Sequence, residues 1–407
     1  MIRFFLILLA PYALFAALTF STNNNKDVEL LKTFDVDSSF LYDEKLNEMK
    51  SSERARYQYK HFFNAMDNAY IFIPRIKEVL NEYNVPAEFL YLAMAESNFS
   101  TRAYSKKKAT GMWQFMPRTA KLYKLRIDSY VDERRDLIKS SEAAAKYLTF
   151  LHKKFGKWYL AAIAYNCGGG YLSRAIKKAG TDDLKVLLDE KKRYIPRESR
   201  LYIRKILALA LVGNDEDYLI DNEYEFLLNR GNAYSLATVK VGRGESLTRI
   251  SKMLGIPLKE LKALNHHLSH DFTPPDVKKY DIYIPYVKLS DFKQKYHPED
   301  IKNIYMVHTV KHGESLFAIG RKYHVPYKII KDFNKLSSNR LSLKQQLVIP
   351  IAVAKNHEHD KRYYMVKNGD TLDSIAKANK LTIGFIKSVN NLKNNTIKIG
   401  DKLYLNE

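Results

Sequence analysis

One short pattern occurs three times in the second half of the chain, and it restricts the fold more than any other feature. Val241-Gly242-Arg243-Gly244-Glu245-Ser246-Leu247, Val310-Lys311-His312-Gly313-Glu314-Ser315-Leu316 and Val366-Lys367-Asn368-Gly369-Asp370-Thr371-Leu372 align residue for residue. An Ile stands three residues past each Leu (Ile250, Ile319, Ile375), and an Asn stands 21 residues past each Gly (Asn265, Asn334, Asn390). Two copies close on Ile284-Pro285 and Ile349-Pro350, and the third on Tyr404-Leu405-Asn406. A strand running into a Gly turn, a Ser or Thr that caps a helix, a second helix ending near the Asn and a closing strand predict a βααβ unit. The copies start 69 and 56 residues apart. Linkers therefore separate them, giving beads on a string instead of a stacked solenoid.

The region from 68 to 213 has a different pattern. Apolar residues recur at helical spacing through Ala87–Ala95, Ser140–Leu151, Trp158–Tyr165 and Arg200–Leu211, with few alternating stretches. Gly168-Gly169-Gly170 ends the third of these. Residues 27–67, charged and aromatic, are expected to be a helical lead-in that packs on this region. Residues 214–235, which open on Asn214-Asp215-Glu216-Asp217, are expected to be a linker to the repeats at 238–286, 305–350 and 363–407. The fold class is thus a mainly α domain followed by three small α+β (βααβ) domains.

Phe4 to Phe20 is an uncharged apolar run behind Arg3, interrupted by Pro11 and followed by a polar stretch. Residues 1–21 are expected to be a signal peptide or a single N-terminal anchor, which places the rest outside the cytoplasmic membrane. With 67 Lys and Arg against 45 Asp and Glu, the net charge is +22. An exported chain makes nucleic acid the wrong polyanion. Residues 236–407 hold 30 Lys and Arg against 16 Asp and Glu, so the excess lies largely in the repeats. Cys167 is the only cysteine. It can form neither an internal disulfide nor a cysteine zinc site, and it stands mid-chain, so a lipid-bearing N-terminal Cys is not expected. His266-His267-Leu268-Ser269-His270 and His357-Glu358-His359-Asp360 look like metal ligands, but both fall in variable or linker parts of the repeats. No metal or cofactor is expected.

The chemistry concentrates in Ala95-Glu96-Ser97-Asn98-Phe99, Ser105 and Gly111-Met112-Trp113-Gln114-Phe115-Met116-Pro117. Glu96 ends an apolar helix. Apolar neighbours and the negative end of the helix dipole both favour its protonated form. A raised-pKa glutamic acid suits general acid catalysis at a glycosidic bond. Asp132, Glu133, Asp136 and Glu142 are candidates for the second carboxylate of a standard glycosidase, and nothing in the sequence places one opposite Glu96.

The repeat resembles the LysM domain, which binds N-acetylglucosamine polymers. That resemblance puts a glycan groove around Gly244-Glu245-Ser246, Gly313-Glu314-Ser315 and Gly369-Asp370-Thr371. The Glu96 motifs, with Ala164-Tyr165-Asn166 and Glu198-Ser199-Arg200-Leu201-Tyr202, resemble the lytic transglycosylase family with a goose-type-lysozyme-like fold. The resemblance implies that Glu96 is the sole acid and base. It also implies that Ser105, Gly111, Met112, Gln114, Phe115, Tyr165 and Asn166 line the sugar cleft or orient Glu96, and that Tyr202 supports Glu96. The expected partner is peptidoglycan in the periplasm or cell envelope, with envelope proteins as further partners. A hydrolytic muramidase and a non-catalytic wall-binding scaffold remain the alternatives. All the catalytic motifs end by Tyr202, so the repeats are expected to be separable from the chemistry.

Overall fold

The lead-in is helical because its apolar residues recur on one side. The computed structural model describes residues 25–54, 56–224, 236–298, 303–352, 363–379, 381–390, 392 and 394–405. The N-terminal apolar run, residues 225–235 and His357–Asp360 lie outside the described residues. Helix α1 (25–33) buries Leu30 and Leu31, α2 (Glu44–Arg54) buries Leu46, and α3 (Arg56–Ala69) buries Phe62 and Phe63. All of these join one core with α4 (Ile73–Glu82), α5 (Leu90–Ser97), α6 (Pro117–Leu122), α7 (Leu137–Phe155), α8 (Trp158–Cys167), α9 (Gly169–Ala179), α10 (Leu184–Leu187) and α11 (Arg197–Gly213). A short α12 (Glu216–Asp221) follows. Asp215 caps it and its Leu219 is buried, so the start of the expected linker is ordered helix.

Helix α11 is the axis of the domain. It is buried along most of its length and lies against α2, α5 and α8. Arg204 on α11 forms two hydrogen bonds of 2.8 Å to Asp43 just before α2, a bidentate pair that fixes their approach. Helix α5 stops where Asn98 turns left-handed, at φ 52°. Phe99 is also left-handed, at φ 61°, with its ring buried. Two consecutive side-chain-bearing residues in that region mark a strained exit next to Glu96.

The three repeats form as the pattern predicts. The first has β1 (Leu236–Gly242), α13 (Leu247–Leu254), α14 (Leu258–Leu264) and β2 (Lys279–Pro285), and β1 and β2 pair antiparallel with Val239 opposite Ile282. An added α15 (Leu289–Lys295) follows it. The second has β3 (Asn303–Thr309), α16 (Leu316–Tyr323), α17 (Tyr327–Phe333) and β4 (Gln346–Ala352). The third has β5 (Tyr363–Met365), α18 (Leu372–Ala378), α19 (Ile383–Val389) and β6 (Lys402–Tyr404). Each has its own apolar core. Ser246, Ser315 and Thr371 cap the first helices as expected.

The repeated Asn ties each unit together. The Asn265 amide donates to the Leu261 and Tyr283 carbonyls and accepts from the Tyr283 N–H. Asn334 makes the same three bonds to Ile330 and Val348, and Asn390 to Ile386 and Tyr404. One side chain thus joins the end of the second helix to the closing strand.

The expectation of independent beads needs correcting. The described chain divides into two compact units, one ending at Ile351 and one beginning at Ala352. The first repeat is docked on the helical domain. Arg126 pairs with both oxygens of Asp276 at 3.0 and 2.9 Å, and Val131 bridges Leu268 in a short antiparallel contact. Val131 is itself buried in the core of the repeat. The physical reason is that Tyr280 and Tyr283 of the repeat donate to the buried Glu133 and Asp136 of the helical domain.

Asn334→Ala removes three hydrogen bonds, worth about 2–3 kcal/mol together. Amide exchange in β4 should quicken by about 30- to 100-fold while α7 is unchanged. Mass-resolved hydrogen exchange on the full chain checks this.

Candidate active site

Glu96 is the penultimate residue of α5 and sits part-buried against α11. The Tyr202 hydroxyl donates to Glu96 Oε1 at 2.6 Å. Burial raises the Glu96 pKa to about 7; the Tyr202 hydrogen bond and the nearby Lys205 charge pull it down, and Glu198 pushes it up. Lys205 Nζ donates to the Ala95 carbonyl at 3.1 Å, occupying an orphan acceptor at the end of α5. Burial holds the Tyr202 and Tyr165 hydroxyls well above their ordinary pKa, so both are protonated donors at neutral pH.

Around Glu96 the 97–117 segment folds back on the helices. The Ser97 hydroxyl donates to the Met112 carbonyl at 2.8 Å, and the Tyr165 hydroxyl to the Trp113 carbonyl at 2.8 Å. Gly111 takes φ +82° and has no room for a side chain, because a Cβ there would lie 1.8 Å from the Arg134 carbonyl oxygen. Gln114 is left-handed, at φ 49°, and its amide donates to the Gly111 carbonyl at 2.8 Å. Met112, Trp113 and Phe115 are core side chains, with the indole donating to Ser141 at 2.9 Å. What this turn can present to a cleft is therefore the part-exposed Gln114.

Ser105 shapes a neighbouring turn. Its hydroxyl accepts from the Ala109 N–H at 3.0 Å, and its own N–H bonds the Ala109 carbonyl. Asn166 accepts from the Ser199 hydroxyl at 2.6 Å, which links α8 to the first turn of α11. The part-exposed Cys167 follows it. Tyr165 and Tyr147 have ring centroids 5.2 Å apart, and Phe115 meets Tyr165 at 6.3 Å. The structure thus brings Glu96, Tyr202, Tyr165 and the 111–114 turn together, with Asn166 at their edge, and leaves Ser105 engaged in its own loop.

Sequence reasoning missed Lys205 and the role of Ser97. A signal for the first existed: Glu198, Tyr202 and Lys205 recur at i, i+4 and i+7, one face of α11. The four carboxylates considered as partners to Glu96 are committed elsewhere. Asp132 pairs with Arg134 at 2.7 Å, Glu133 with Lys139 at 2.6 Å, and Asp136 caps α7. Glu142 lies 3.9 Å from Lys146 on the same helix. His266, His267 and His270 belong to the contact with the first repeat, and among the described residues no group of three His, Cys, Asp or Glu is placed to hold a metal ion.

A carboxyl whose folded pKa is raised contributes stability below its unfolded value, about 4.5, and loses it as pH rises through the folded value, about 7. Above pH 7 the buried carboxylate is a net cost. Glu96→Gln is expected to stabilise the fold by about 2–3 kcal/mol at pH 8 and by much less at pH 4. Denaturant melts of both forms at the two pH values measure it.

A family profile described as the transglycosylase SLT domain matches residues 74–187. One for the LysM-like domain of lytic transglycosylase MltD matches 235–300, and the LysM domain profile matches 308–350 and 364–406. Membrane-bound lytic murein transglycosylase D of Escherichia coli (strain K12) is 28% identical over 344 residues, which cover 79% of this chain and 73% of that protein. The N-acetylmuramoyl-L-alanine amidase sle1 of Staphylococcus saprophyticus is 29% identical over 180 residues, covering 42% of this chain and 52% of that one. Among solved structures, the 70 kDa soluble lytic transglycosylase of Escherichia coli matches 39% of this chain and 25% of its own, at a TM-score of 0.28 and 19% identity. The chain consists, from helical domain to C-terminus, of a transglycosylase SLT domain, a LysM-like domain of the lytic transglycosylase D type and two LysM domains.

Proposed function

We propose that this chain is a peptidoglycan lytic transglycosylase in which Glu96 is the single acid and base and the LysM modules bind the glycan. The observation that carries the reading is a carboxyl with a pKa near 7 held by a tyrosine that stays protonated. Such a group is partly protonated at neutral pH and can give a proton and then take one back.

Protonated Glu96 gives its proton to the oxygen joining N-acetylmuramic acid to N-acetylglucosamine. The muramic N-acetyl oxygen closes on C1 as that bond breaks. Ionised Glu96 then removes the proton of the same sugar's 6-hydroxyl, which attacks C1 and opens the ring. The product is a 1,6-anhydromuramic end, and no water is consumed. The intramolecular hydroxyl has an effective concentration of up to ~10⁵ M or more when aligned. Gln114 and Asn166 line the cleft, while Gly111, Met112, Tyr165 and the buried Phe115 hold that wall in place. The exposed loops at Gly313-Glu314-Ser315 and Gly369-Asp370-Thr371 meet the glycan. The protein works at the cell envelope, in the periplasm, exported by its N-terminal segment or held by it.

A hydrolytic muramidase is the second reading, favoured by one observation. Glu198, exposed in the first turn of α11, is the other carboxylate that acts on Glu96. Products of wall digestion decide between the two. Anhydro ends one water, about 18 mass units, lighter than hydrolysis products and unlabelled in heavy-oxygen water are expected, with Glu198→Gln still active. Reducing, labelled ends that require Glu198 would overturn the transglycosylase reading.

The pH dependence has a defined sign. Activity needs protonated Glu96, so it should fall as pH rises through about 7. The Tyr202 hydrogen bond lowers that pKa by favouring the ionised carboxylate. Tyr202→Phe should therefore move the alkaline limb to higher pH while reducing kcat, as a pH–rate profile on soluble glycan fragments would show.

A further inference from the structure

The three repeats are built alike, but their loops differ. In the second, Lys311, His312, Gly313 and Ser315 are exposed, and Leu343 across from them is 62% exposed. In the third, Lys367, Asn368, Gly369 and Thr371 are exposed, and Ile399, at the matching position, is 69% exposed. Among the described residues, the two loops of the second and third are bonded only at their base, Val310 to Lys344 and Gln345 and Val366 to Gly400 and Asp401, whereas in the first the bonds run along the Gly-Glu-Ser stretch itself. The Thr273 N–H donates to the Glu245 carbonyl at 2.9 Å, Leu247 to Asp271 at 2.9 Å, and the Glu245 N–H to the Thr273 hydroxyl at 2.9 Å. Gly244 and Glu245 are buried, and Arg249 closes on the Glu245 carboxylate at 2.8 and 3.0 Å.

The first repeat faces the helical domain with buried donors. The Tyr280 hydroxyl donates to Glu133 at 2.9 Å and the Tyr283 hydroxyl to Asp136 at 2.5 Å, both in buried surroundings. His267 is buried between Asp136 and the two tyrosine rings, and its carbonyl accepts from the Asp132 N–H. These acceptors flank the turn Glu133–Arg135. From that turn Arg134 donates to the Lys108 carbonyl at 2.8 Å and the Phe115 carbonyl at 3.2 Å. Its own carbonyl is the surface against which Gly111 rests. Asp136 also caps α7, whose Ser141 receives the Trp113 indole. A continuous series of contacts runs from Tyr280 and Tyr283 to the 108–117 turn, and that turn holds Ser97 and Tyr165 beside Glu96.

We propose that the first repeat is a fixed part of the cleavage domain: Tyr280 and Tyr283 act as positioning residues for the 108–117 turn, and the zipped loops of this repeat receive no glycan. The proposal rests on the Glu96 reading above. It also changes one expectation, since removing all three repeats should damage cleavage of soluble fragments as well as wall binding.

The test uses the full chain carrying Tyr280→Phe and Tyr283→Phe together. The expected result is about a tenfold fall in kcat per folded molecule on soluble peptidoglycan fragments, from the loss of two buried hydrogen bonds. KM should stay within about twofold, sedimentation with insoluble walls should be unchanged, and exchange across 108–117 should be faster. A merely structural role would lower the melting temperature and leave kcat per folded molecule alone, and that result overturns the proposal. Should the double variant not fold, hydrogen exchange of the unmodified chain with soluble glycan decides. Protection at 311–316 and 367–372 with none at 243–247 supports the proposal, and protection at 243–247 overturns it. Glu96→Gln is measured alongside. Retained cleavage there would overturn the Glu96 reading itself, whereas an inactive Glu96→Gln beside fully active tyrosine variants defeats only the positioning role.

Discussion

The hydrogen bond from Tyr202 to Glu96 joins two buried helices and bears on the protonation of one carboxyl. It exists because α11 crosses the end of α5 with Tyr202 on its inner face. Burial alone would favour a permanently neutral carboxyl. The tyrosine hydroxyl and the Lys205 ammonium offset part of that cost and leave the group poised near 7. The rest of the domain preserves this balance. Arg204 fixes α11 against the segment before α2, Asn166 holds its first turn through Ser199, and Ser97 and Tyr165 tie down the 111–114 turn.

The carboxylates that follow in sequence illustrate a division of labour. Asp132, Glu133 and Asp136 hold the Glu133–Arg135 turn, cap α7 and accept hydrogen bonds from the first repeat. Removing a donor from such a buried carboxylate is costly, because the charge cannot turn to water. Their positions explain why an acidic cluster close in sequence to the active motifs supplies no second acid opposite Glu96. They also explain why the first repeat differs from its siblings. Ile284 stands 19 residues past Asn265, whereas Ile349 and Leu405 stand 15 past Asn334 and Asn390. The longer segment carries His266, His267, Leu268, His270 and Phe272, which make the docked surface.

Much of this was legible in the residues. The Gly, the capping Ser or Thr and the Asn gave the βααβ unit, because each has a local job that its neighbours cannot do. The apolar periodicity gave α5, α7, α8 and α11. Glu96 at a helix end among apolar residues foretold a raised pKa, although the structure attributes it first to burial. The docking of the first repeat is not legible in the motifs, since equal motifs imply equal roles; its one trace in the sequence is the longer spacing after Asn265. Met112 and Phe115 looked like cleft residues by motif, and only the tertiary fold shows that their side chains point into the core. Ser105 likewise sits at the expected spacing but serves its own turn.

The proposed chemistry depends on the protonation behaviour of one side chain, so the most direct measurement is its titration. Carbon-13 NMR of the chain labelled at glutamate carboxyls, with the Glu96 signal assigned by its loss in Glu96→Gln, follows that group alone. A midpoint near 7 that moves upward in Tyr202→Phe is expected. A midpoint near the ordinary 4.5, unmoved by the tyrosine substitution, would contradict it.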